Sequence, residues 1–269
     1  MVLKGKVALF GMSARGFTSK MNVQITSDQT LVDHCTTLFE AAKSQCNPMF
    51  EHIKNMDIHT LIDKDLNLYL HTGEVIFKCE VPFWLFSSKE ILVSILQDNG
   101  VPEEKTQKLL YHYEGFNRLF EKHIRHFRHR IFLDEIFIEN ILINQKSLIH
   151  KHLSILVGEP VYVKKEYYCY HLKYMVDLMN SYQNFELGFG TYRKNDFFNQ
   201  MCIFIKQHRA SFVMGENFDA IHSNQPILHS TLYAYYDELW NKMSQYEKNR
   251  EVVEEKINRL VQFHIQEKE

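Results

Sequence analysis

Apolar residues recur at spacings of three and four along most of the chain, which is the pattern of amphipathic helices. Between residues 29 and 45 this spacing follows Ser27 and Asp28, two residue types that cap helices. With only 10 glycines and 5 prolines, the chain offers few positions that would break a helix. The same spacing predicts helices over residues 87–97, 102–129, 131–145, 146–157, 165–181, 225–243 and 245–266. The sequence therefore predicts a mostly α protein.

Alternation of apolar and polar residues, the pattern of a strand, occurs in a few short segments. LNLYLHTGEVIFKCE, residues 66–80, alternates on both sides of Thr72-Gly73, which predicts a β-hairpin. Short strands are also predicted at residues 161–163 and in NFELGFG, and MCIFIKQ and ASFVMGE flank a turn at His208-Arg209. The fold class predicted is mostly α, of the α+β type, with a hairpin in the helical N-terminal part and a C-terminal α+β module.

No internal repeat or linker divides the chain, and a soft boundary falls near Gly158. Residues 1–28 contain several glycines and are predicted to be a leader, either disordered or foreign to the natural chain. Residues 81–157 are predicted to form a helical domain. Residues 158–269 are predicted to form the α+β module, which ends in a helix.

The formal net charge of −2 gives no general attraction to nucleic acid, so any such binding needs a local basic patch. The five cysteines form no CxxC pair, which disfavours a disulfide framework and a zinc site of four thiolates. We therefore expect free thiols, a reducing compartment and a cytoplasmic location. No segment reaches the roughly 20 apolar residues of a membrane span, so no membrane association is expected.

The most basic segment is FEKHIRHFRHRIF, residues 120–132. Read as a helix, it places the apolar residues on one side and the cationic residues mostly on the other. A metal site is disfavoured, because histidines three residues apart drift by about 60° per step and the neighbouring cations repel a metal ion. A solvated helix face and a surface for an anionic partner or nucleic acid both remain open. We predict an exposed basic face made of Lys122, Arg125, Arg128 and Arg130, with His126 and His129 near its edge.

Motifs that would fix an enzymatic reaction are missing from the sequence. Asp134, Glu135 and Glu139 have the spacing of salt-bridge partners for Arg130 or Lys146. Residues 188–190, GFG, are too short for a dinucleotide fingerprint. We expect no cofactor and no metal, and these grounds favour a protein without enzymatic activity.

Aromatic residues are abundant, with 20 Phe and 14 Tyr. Aromatic residues at helical spacing most often belong to a core, but a helical domain so rich in them could also enclose an apolar cavity. For that second alternative, the residues predicted to line a ligand pocket are Trp84, Phe116, Tyr170, Tyr174 and Trp240.

Residues 158–243 resemble the C-terminal sensing part of helix-turn-helix transcription regulators from low-GC bacteria. The resemblance lies in the order of GEPVYVKKEYYCYHLKYMVDLMNSYQNFELGF, MCIFIKQHRASFVMGE and NQPILHSTLYAYYDELWNKM, about a third of the chain. It implies that this part receives a signal and that another segment binds DNA. Residues 29–80 have the order of a winged helix, in which 57–64 would be the recognition helix, although that helix is acidic.

The function predicted is a non-enzymatic, cytoplasmic bacterial transcription regulator whose sensing module binds a small molecule or a partner protein. The alternatives are a helical protein-protein interaction scaffold that does not contact DNA, and an enzyme that uses carboxylates such as Glu135 and Glu139. A homodimer is a further prediction, since Val252, Val253, Ile257, Leu260 and Val261 give the last helix an apolar stripe. Packing of that stripe on its own domain is the equal alternative.

Overall fold

The computed structural model of the chain describes residues 2–3, 6–12, 22–46, 51–53, 69–78, 84–144, 147–190, 202–206, 209–214, 219–223 and 225–265. It has the mostly helical α+β fold that the sequence predicts, and it divides into two compact units, residues 1–49 and 50–269. The predicted boundaries near residues 80 and 158 both fall inside the second unit.

The first unit is a small antiparallel sheet with one helix. The sheet consists of β1 (Val2–Leu3), β2 (Val7–Met12) and β3 (Asn22–Thr26), so the predicted leader contains regular structure. Helix α1 (Gln29–Ser44) begins as predicted, where the Asp28 carboxylate accepts a hydrogen bond from the backbone N–H of Leu31 at 3.0 Å. Its residues Val32 and Cys35 pack against Ala8 of β2.

The second unit is built on a seven-stranded sheet with the order β4-β12-β11-β10-β5-β6-β9. The pairs β5–β6 and β6–β9 are parallel, and the other neighbours are antiparallel. Its strands are β4 (Glu51–Ile53), β5 (Val75–Lys78), β6 (His129–Leu133), β9 (Phe185–Phe189), β10 (Cys202–Lys206), β11 (Arg209–Met214) and β12 (Asp219–Ser223). A separate pair consists of β7 (Ser147–Ile149) and β8 (Tyr162–Lys164).

The helices of this unit follow the predicted apolar periodicity closely in most places. They are α2 (Lys89–Asp98), α3 (Glu103–Ile124), α4 (Glu135–Asn144), α5 (Lys151–Val157), α6 (Lys165–Ser181), α7 (Pro226–Lys242), α8 (Gln245–Lys248) and α9 (Arg250–Ile265). Ser88 caps α2, and Gly158 ends α5 in the left-handed conformation. The helix predicted over residues 245–266 is two helices, because Asn249 adopts an extended conformation between them.

Apolar side chains cover both faces of the central sheet. Val75 and Ile131 point to one face, where they belong to a large core that includes residues of α2, α3, α6 and α9. Ile76 and Phe132 point to the other face and pack with Trp240 of α7. Each side chain that is fully buried in these cores stabilises the fold by roughly 1.5–3 kcal/mol. The central strands are therefore held from both sides.

Two sequence-based predictions of secondary structure are wrong around the central strands. Residues 129–133, predicted as helix, form β6, because this short apolar run is buried between parallel neighbours and its side chains alternate between two cores. The hairpin predicted over residues 66–80 does not form, because β5 is hydrogen-bonded to β6 on one side and β10 on the other. The second predicted hairpin is confirmed by the β10–β11 pair.

The winged-helix interpretation of residues 29–80 does not fit these elements. Helix α1 belongs to the first unit, whereas β4 and β5 are strands of the large sheet in the second unit. The predicted recognition helix, residues 57–64, lies outside the described residues. The DNA-binding role that the interpretation gave to this segment therefore has no structural basis in the described part.

The apolar stripe of the last helix is used inside the fold. Val253, Ile257, Leu260 and Val261 of α9 are buried in the large core, and α9 contacts α4, α6 and β9. The packing alternative is therefore correct for this stripe, and the homodimer surface predicted on it is not exposed.

The prediction of free thiols holds for Cys35 and Cys169, but Cys202 is disulfide-bonded.

Close packing, and not the binding of a nucleotide, explains why position 188 of β9 is a glycine. A Cβ atom at this position would lie 2.8 Å from Met243 Cε and 3.0 Å from Trp240 Cζ3. Trp240 is buried and cannot move aside without opening the core. We expect Gly188→Ala to lower the free energy of unfolding by roughly 1–3 kcal/mol, measured by chemical denaturation. Gly115→Ala is the matched control: a Cβ atom at this position has no neighbour within 4 Å, so the free energy of unfolding should not fall. Gly100 is unsuitable as a control because its φ of +66° disfavours any residue that has a Cβ atom.

Candidate functional site

The basic segment 120–132 is divided by the path of the chain into three environments. Helix α3 ends at Ile124, and the chain turns through residues 125–128 into β6. The segment is therefore not one helix face. Its residues lie on the outer surface of α3, at a half-exposed ion pair, and on the two opposite sides of β6.

Lys122, Arg125 and His126 are exposed, as predicted. Arg118 is also exposed and stands four and seven residues before Lys122 and Arg125, which places it on the same side of α3. None of the four forms an ion pair with another described residue. We call this set, which continues from the last turns of α3 into the turn after Ile124, the basic stripe. The sequence pattern predicted three of its members, and Arg118 was missed because it lies outside the basic segment 120–132.

Arg128 is half-buried and bound to a carboxylate. Its Nε and Nη2 donate hydrogen bonds to the two carboxylate oxygens of Glu186 at 2.8 and 2.9 Å. This bidentate pair joins the start of β6 to β9, and it raises the pKa of the Arg128 guanidinium further. The prediction that Arg128 belongs to a free basic face is therefore wrong.

Arg130 is buried, with 1% of its surface exposed, so its placement on an exposed face is also wrong. Its guanidinium donates hydrogen bonds to Glu74 Oε2 at 3.0 Å, to the hydroxyl of Tyr233 at 2.9 Å and to Asp237 Oδ1. The Tyr233 hydroxyl itself donates to Glu74 Oε2 at 2.7 Å. We call these four residues the arginine network. It connects β6 to α7 and to the residue that precedes β5.

His129 is the third exception, because it is fully buried on the opposite side of β6 from Arg130. Its Nε2 lies 3.3 Å from Nδ1 of His123, which is 5% exposed, and its Nδ1 lies 3.0 Å from the carbonyl oxygen of Phe127. Aromatic rings enclose the pair: Tyr69 stacks on His129 at 6.0 Å and meets His123 edge-on at 5.4 Å. Residue alternation along a strand explains why two adjacent basic residues lie on opposite sides.

Lys206, at the end of β10, completes this polar group. It is 2% exposed, and its ammonium lies 5.1 Å from the centre of the Tyr69 ring. Burial lowers the pKa of Lys206 to about 7. Burial, and then the charge of Lys206, lower the pKa of His123 to about 4; burial, and then His123, lower the pKa of His129 to about 3. We call His123, His129 and Lys206 the buried basic cluster.

Sequence reasoning missed this cluster for a specific reason. Lys206 lies 77 residues after His129, in a strand of apolar residues, and reaches it only because β10 and β6 lie on either side of β5. The register pairs Val75 with both Lys206 and His129. A lysine that ends an apolar strand was the one available signal, and it is common at strand ends.

The five aromatic residues predicted to line a pocket do not come together. Trp84 and Phe116 are buried in the large core, and Tyr174 packs against it half-buried. Trp240 lies on the other face of the sheet, next to Phe132 at a ring distance of 5.2 Å. Tyr170 is 49% exposed. The alternative that most of these residues are core residues is the correct one.

The carboxylates considered for catalysis have structural contacts. Glu135 forms an ion pair with Lys256 of α9, so the predicted salt bridge exists with a different partner. Asp134 accepts a hydrogen bond from the backbone N–H of Phe137 at 3.0 Å, which caps α4. Within the described ranges, no group of three or more His, Cys, Asp and Glu side chains could hold a metal ion.

Comparisons with known proteins give little for this chain. No family model and no curated protein matches it. One solved structure that matches is TrmBL2, an archaeal chromatin protein described with a novel mode of DNA binding. It is 10% identical, the match covers 91% of this chain and 78% of that chain, and the TM-score is 0.35. A similarity of this size identifies neither a family nor a function.

Among the described residues, no helix is long and apolar enough to cross a membrane.

Proposed function

We propose that this protein regulates transcription and that the basic stripe on α3 contacts the phosphates of nucleic acid. The observation that carries the proposal is the arrangement of Arg118, Lys122, Arg125 and His126, which are exposed at the end of α3 and in the turn that follows it. Surface cations that are not committed to protein carboxylates are the groups that displace counterions from a phosphate backbone. In this proposal the rest of residues 50–269 receives the signal.

Charge balance supports a local contact of this kind. The whole chain carries a formal charge of −2, so attraction to nucleic acid has to come from one patch. Two other exposed lysines are paired with carboxylates: Lys108 of α3 with Glu104 at 2.7 Å, and Lys89 of α2 with Glu114 at 2.5 Å. The basic stripe differs from them in that respect.

The test is a gel-shift titration of duplex DNA from upstream of the protein's own gene, at two salt concentrations. The double variant Lys122→Gln and Arg125→Gln should bind more weakly, and the loss should be greatest at low salt. Each phosphate contact contributes about −0.9 to the slope of log K against log salt, so the slope should become shallower by roughly 2.

The matched control is Lys89→Gln with Lys108→Gln, which removes the same charge from paired surface lysines. Its DNA affinity should stay within about twofold of the unmodified protein, because surface ion pairs contribute little and these residues lie outside the stripe. Cations near a helix C-terminus also stabilise the helix by about 0.3–1 kcal/mol, so unfolding of each variant is measured in parallel. Equal DNA binding by both double variants would refute the basic stripe as the DNA contact, and no shift at low salt would favour the scaffold alternative.

A further inference from the structure

Helix α3 carries an exposed tyrosine in line with the basic stripe. Tyr111 is 73% exposed, and the ring of its neighbour His112 lies nearly perpendicular to it at 5.6 Å. Residues 111, 115, 118, 122 and 125 follow one another at spacings of four, three, four and three. Arg125 follows the helix but still has helical backbone angles. Residues at these spacings lie on one side of a helix, so the tyrosine and the cations form a line roughly 20 Å long.

The glycine in this line leaves the tyrosine ring uncovered. In a helix each Cα–Cβ bond tilts toward the N-terminus, so a side chain at residue 115 would lie over residue 111. A glycine in a helix interior is destabilising relative to alanine. Packing inside the fold does not explain Gly115, because a Cβ atom at this position would have no neighbour within 4 Å. The space beside the ring of Tyr111 is therefore open to a molecule from outside the fold.

The exposed carboxylates of α3 do not neutralise this line. Glu104 and Glu114 are held in the two lysine ion pairs described above. Glu121 stands roughly 80° around the helix from Tyr111. It acts toward α6, where burial is the main cause that raises the pKa of Tyr174 and the charge of Glu121 adds to the rise. The line therefore presents positive charge next to an aromatic ring.

Cations beside an exposed aromatic ring are the combination that binds single-stranded nucleic acid. We propose that the basic stripe binds a single strand, with an unpaired base stacked on the ring of Tyr111 and the adjoining phosphates at the cations of the stripe. This rests on the proposed function, since it takes the stripe to contact phosphates. A duplex offers its phosphates and base edges but keeps the faces of its bases stacked, so the contact with Tyr111 selects an unpaired strand.

The test is a fluorescence-anisotropy titration of the full chain with labelled oligothymidine of about 12 nucleotides, a length within the range of single-strand sites. The same titration is made with a duplex of that length and with an abasic strand, which keeps the phosphates and lacks the bases. We expect oligothymidine to bind more tightly than either of them. Oligouridine of the same length is the RNA arm, and tighter binding of it identifies RNA as the source of the strand.

Substitution of the tyrosine separates stacking from charge. Tyr111→Leu should weaken oligothymidine binding roughly five- to hundredfold, whereas Tyr111→Phe and Tyr111→Trp, which keep an aromatic face, should retain it. Tyr111→Leu should leave the binding of the abasic strand and the salt dependence unchanged, because stacking releases no counterions. The double variant Lys122→Gln and Arg125→Gln should instead make the slope of log K against log salt shallower by about 1.4. The matched control is Tyr246→Leu, since Tyr246 of α8 is 67% exposed.

A second variant tests the open space beside the ring. Gly115→Leu places a side chain over Tyr111 and should weaken oligothymidine binding without loss of stability, because leucine forms helices better than glycine does. If Tyr111→Leu has no more effect than Tyr246→Leu, or weakens binding of the abasic strand equally, the stacking contact is refuted. Duplex that binds through the stripe more tightly than oligothymidine leaves the proposed function intact and overturns this inference. Absence of binding to either at low salt removes both.

Discussion

Arg130→Ala will lower the free energy of unfolding by about 3–5 kcal/mol, the largest loss expected for any arginine in the second unit. Removing the guanidinium leaves Glu74, Asp237 and the Tyr233 hydroxyl without their shared donor, and it opens a cavity between β6 and α7. Chemical denaturation of the purified variant measures the loss. Because the arginine network joins β6 to α7, the unfolding transition should also become broader if α7 detaches first.

Arg128→Ala is the matched control, because Arg128 lies two residues before Arg130 and directly precedes β6. Its pair with Glu186 is bidentate but 42% exposed on the arginine side, so water can replace the lost contact and the cost should be about 1 kcal/mol. Arg130→Met tests the contribution of packing separately from that of charge. Glu74 and Asp237 are 35% and 40% exposed, so water can hydrate them when the guanidinium is absent. The loss of unfolding free energy should therefore be smaller than for Arg130→Ala. If Arg128→Ala costs as much as Arg130→Ala, the arginine network does not have the central role described.

The helices were predictable from the sequence because each one is a local pattern. Helix α6 has the predicted limits, and α7 deviates from its predicted range by one residue at each end. Cap residues such as Asp28 and Ser88 fix helix starts within a few residues, without reference to the rest of the chain. Long periodic segments with local start signals are the elements that sequence reasoning recovers.

The candidate sites were less predictable because they depend on strand pairing. Residues 129–133 are too short an apolar run to distinguish a buried strand from the end of a helix by periodicity. Once they form β6, alternation sends His129 and Arg130 to opposite faces, and the predicted single basic face is divided. The partners Glu74, Tyr233 and Asp237 lie 56, 103 and 107 residues away, at distances that no local pattern encodes.

The stability of the protein should decline steeply with mild acid below about pH 6.5. Three buried histidines carry the effect: burial is the main cause that lowers the pKa of His123 to about 4 and those of His129 and His171 to about 3. His171 of α6 is fully buried, and neither of its ring nitrogens has a partner among the described residues. In the unfolded chain each histidine has a pKa of about 6.5.

The sign follows from proton binding. Between about pH 4 and 6.5 the unfolded chain binds more protons at these histidines than the folded protein does, so acid favours unfolding. Each histidine contributes up to about 1.4 kcal/mol per pH unit in this range, and three contribute roughly 4. Carboxylates whose pKa is lowered in the folded protein, such as Asp98 and Glu114, add to the loss only below about pH 4.5. The range from pH 5 to 6.5 therefore reports on the histidines.

Urea denaturation at intervals between about pH 5 and 7 tests this dependence. His129→Phe and His171→Phe should each make the slope of unfolding free energy against pH shallower by up to about 1.4 kcal/mol per unit, because phenylalanine cannot be protonated. The exposed His126 provides the control, and His126→Gln should leave the slope unchanged. A stability that stays constant over this range would mean that the histidines are protonated or accessible to water in the folded state. Binding of DNA to the basic stripe would be unaffected by that result.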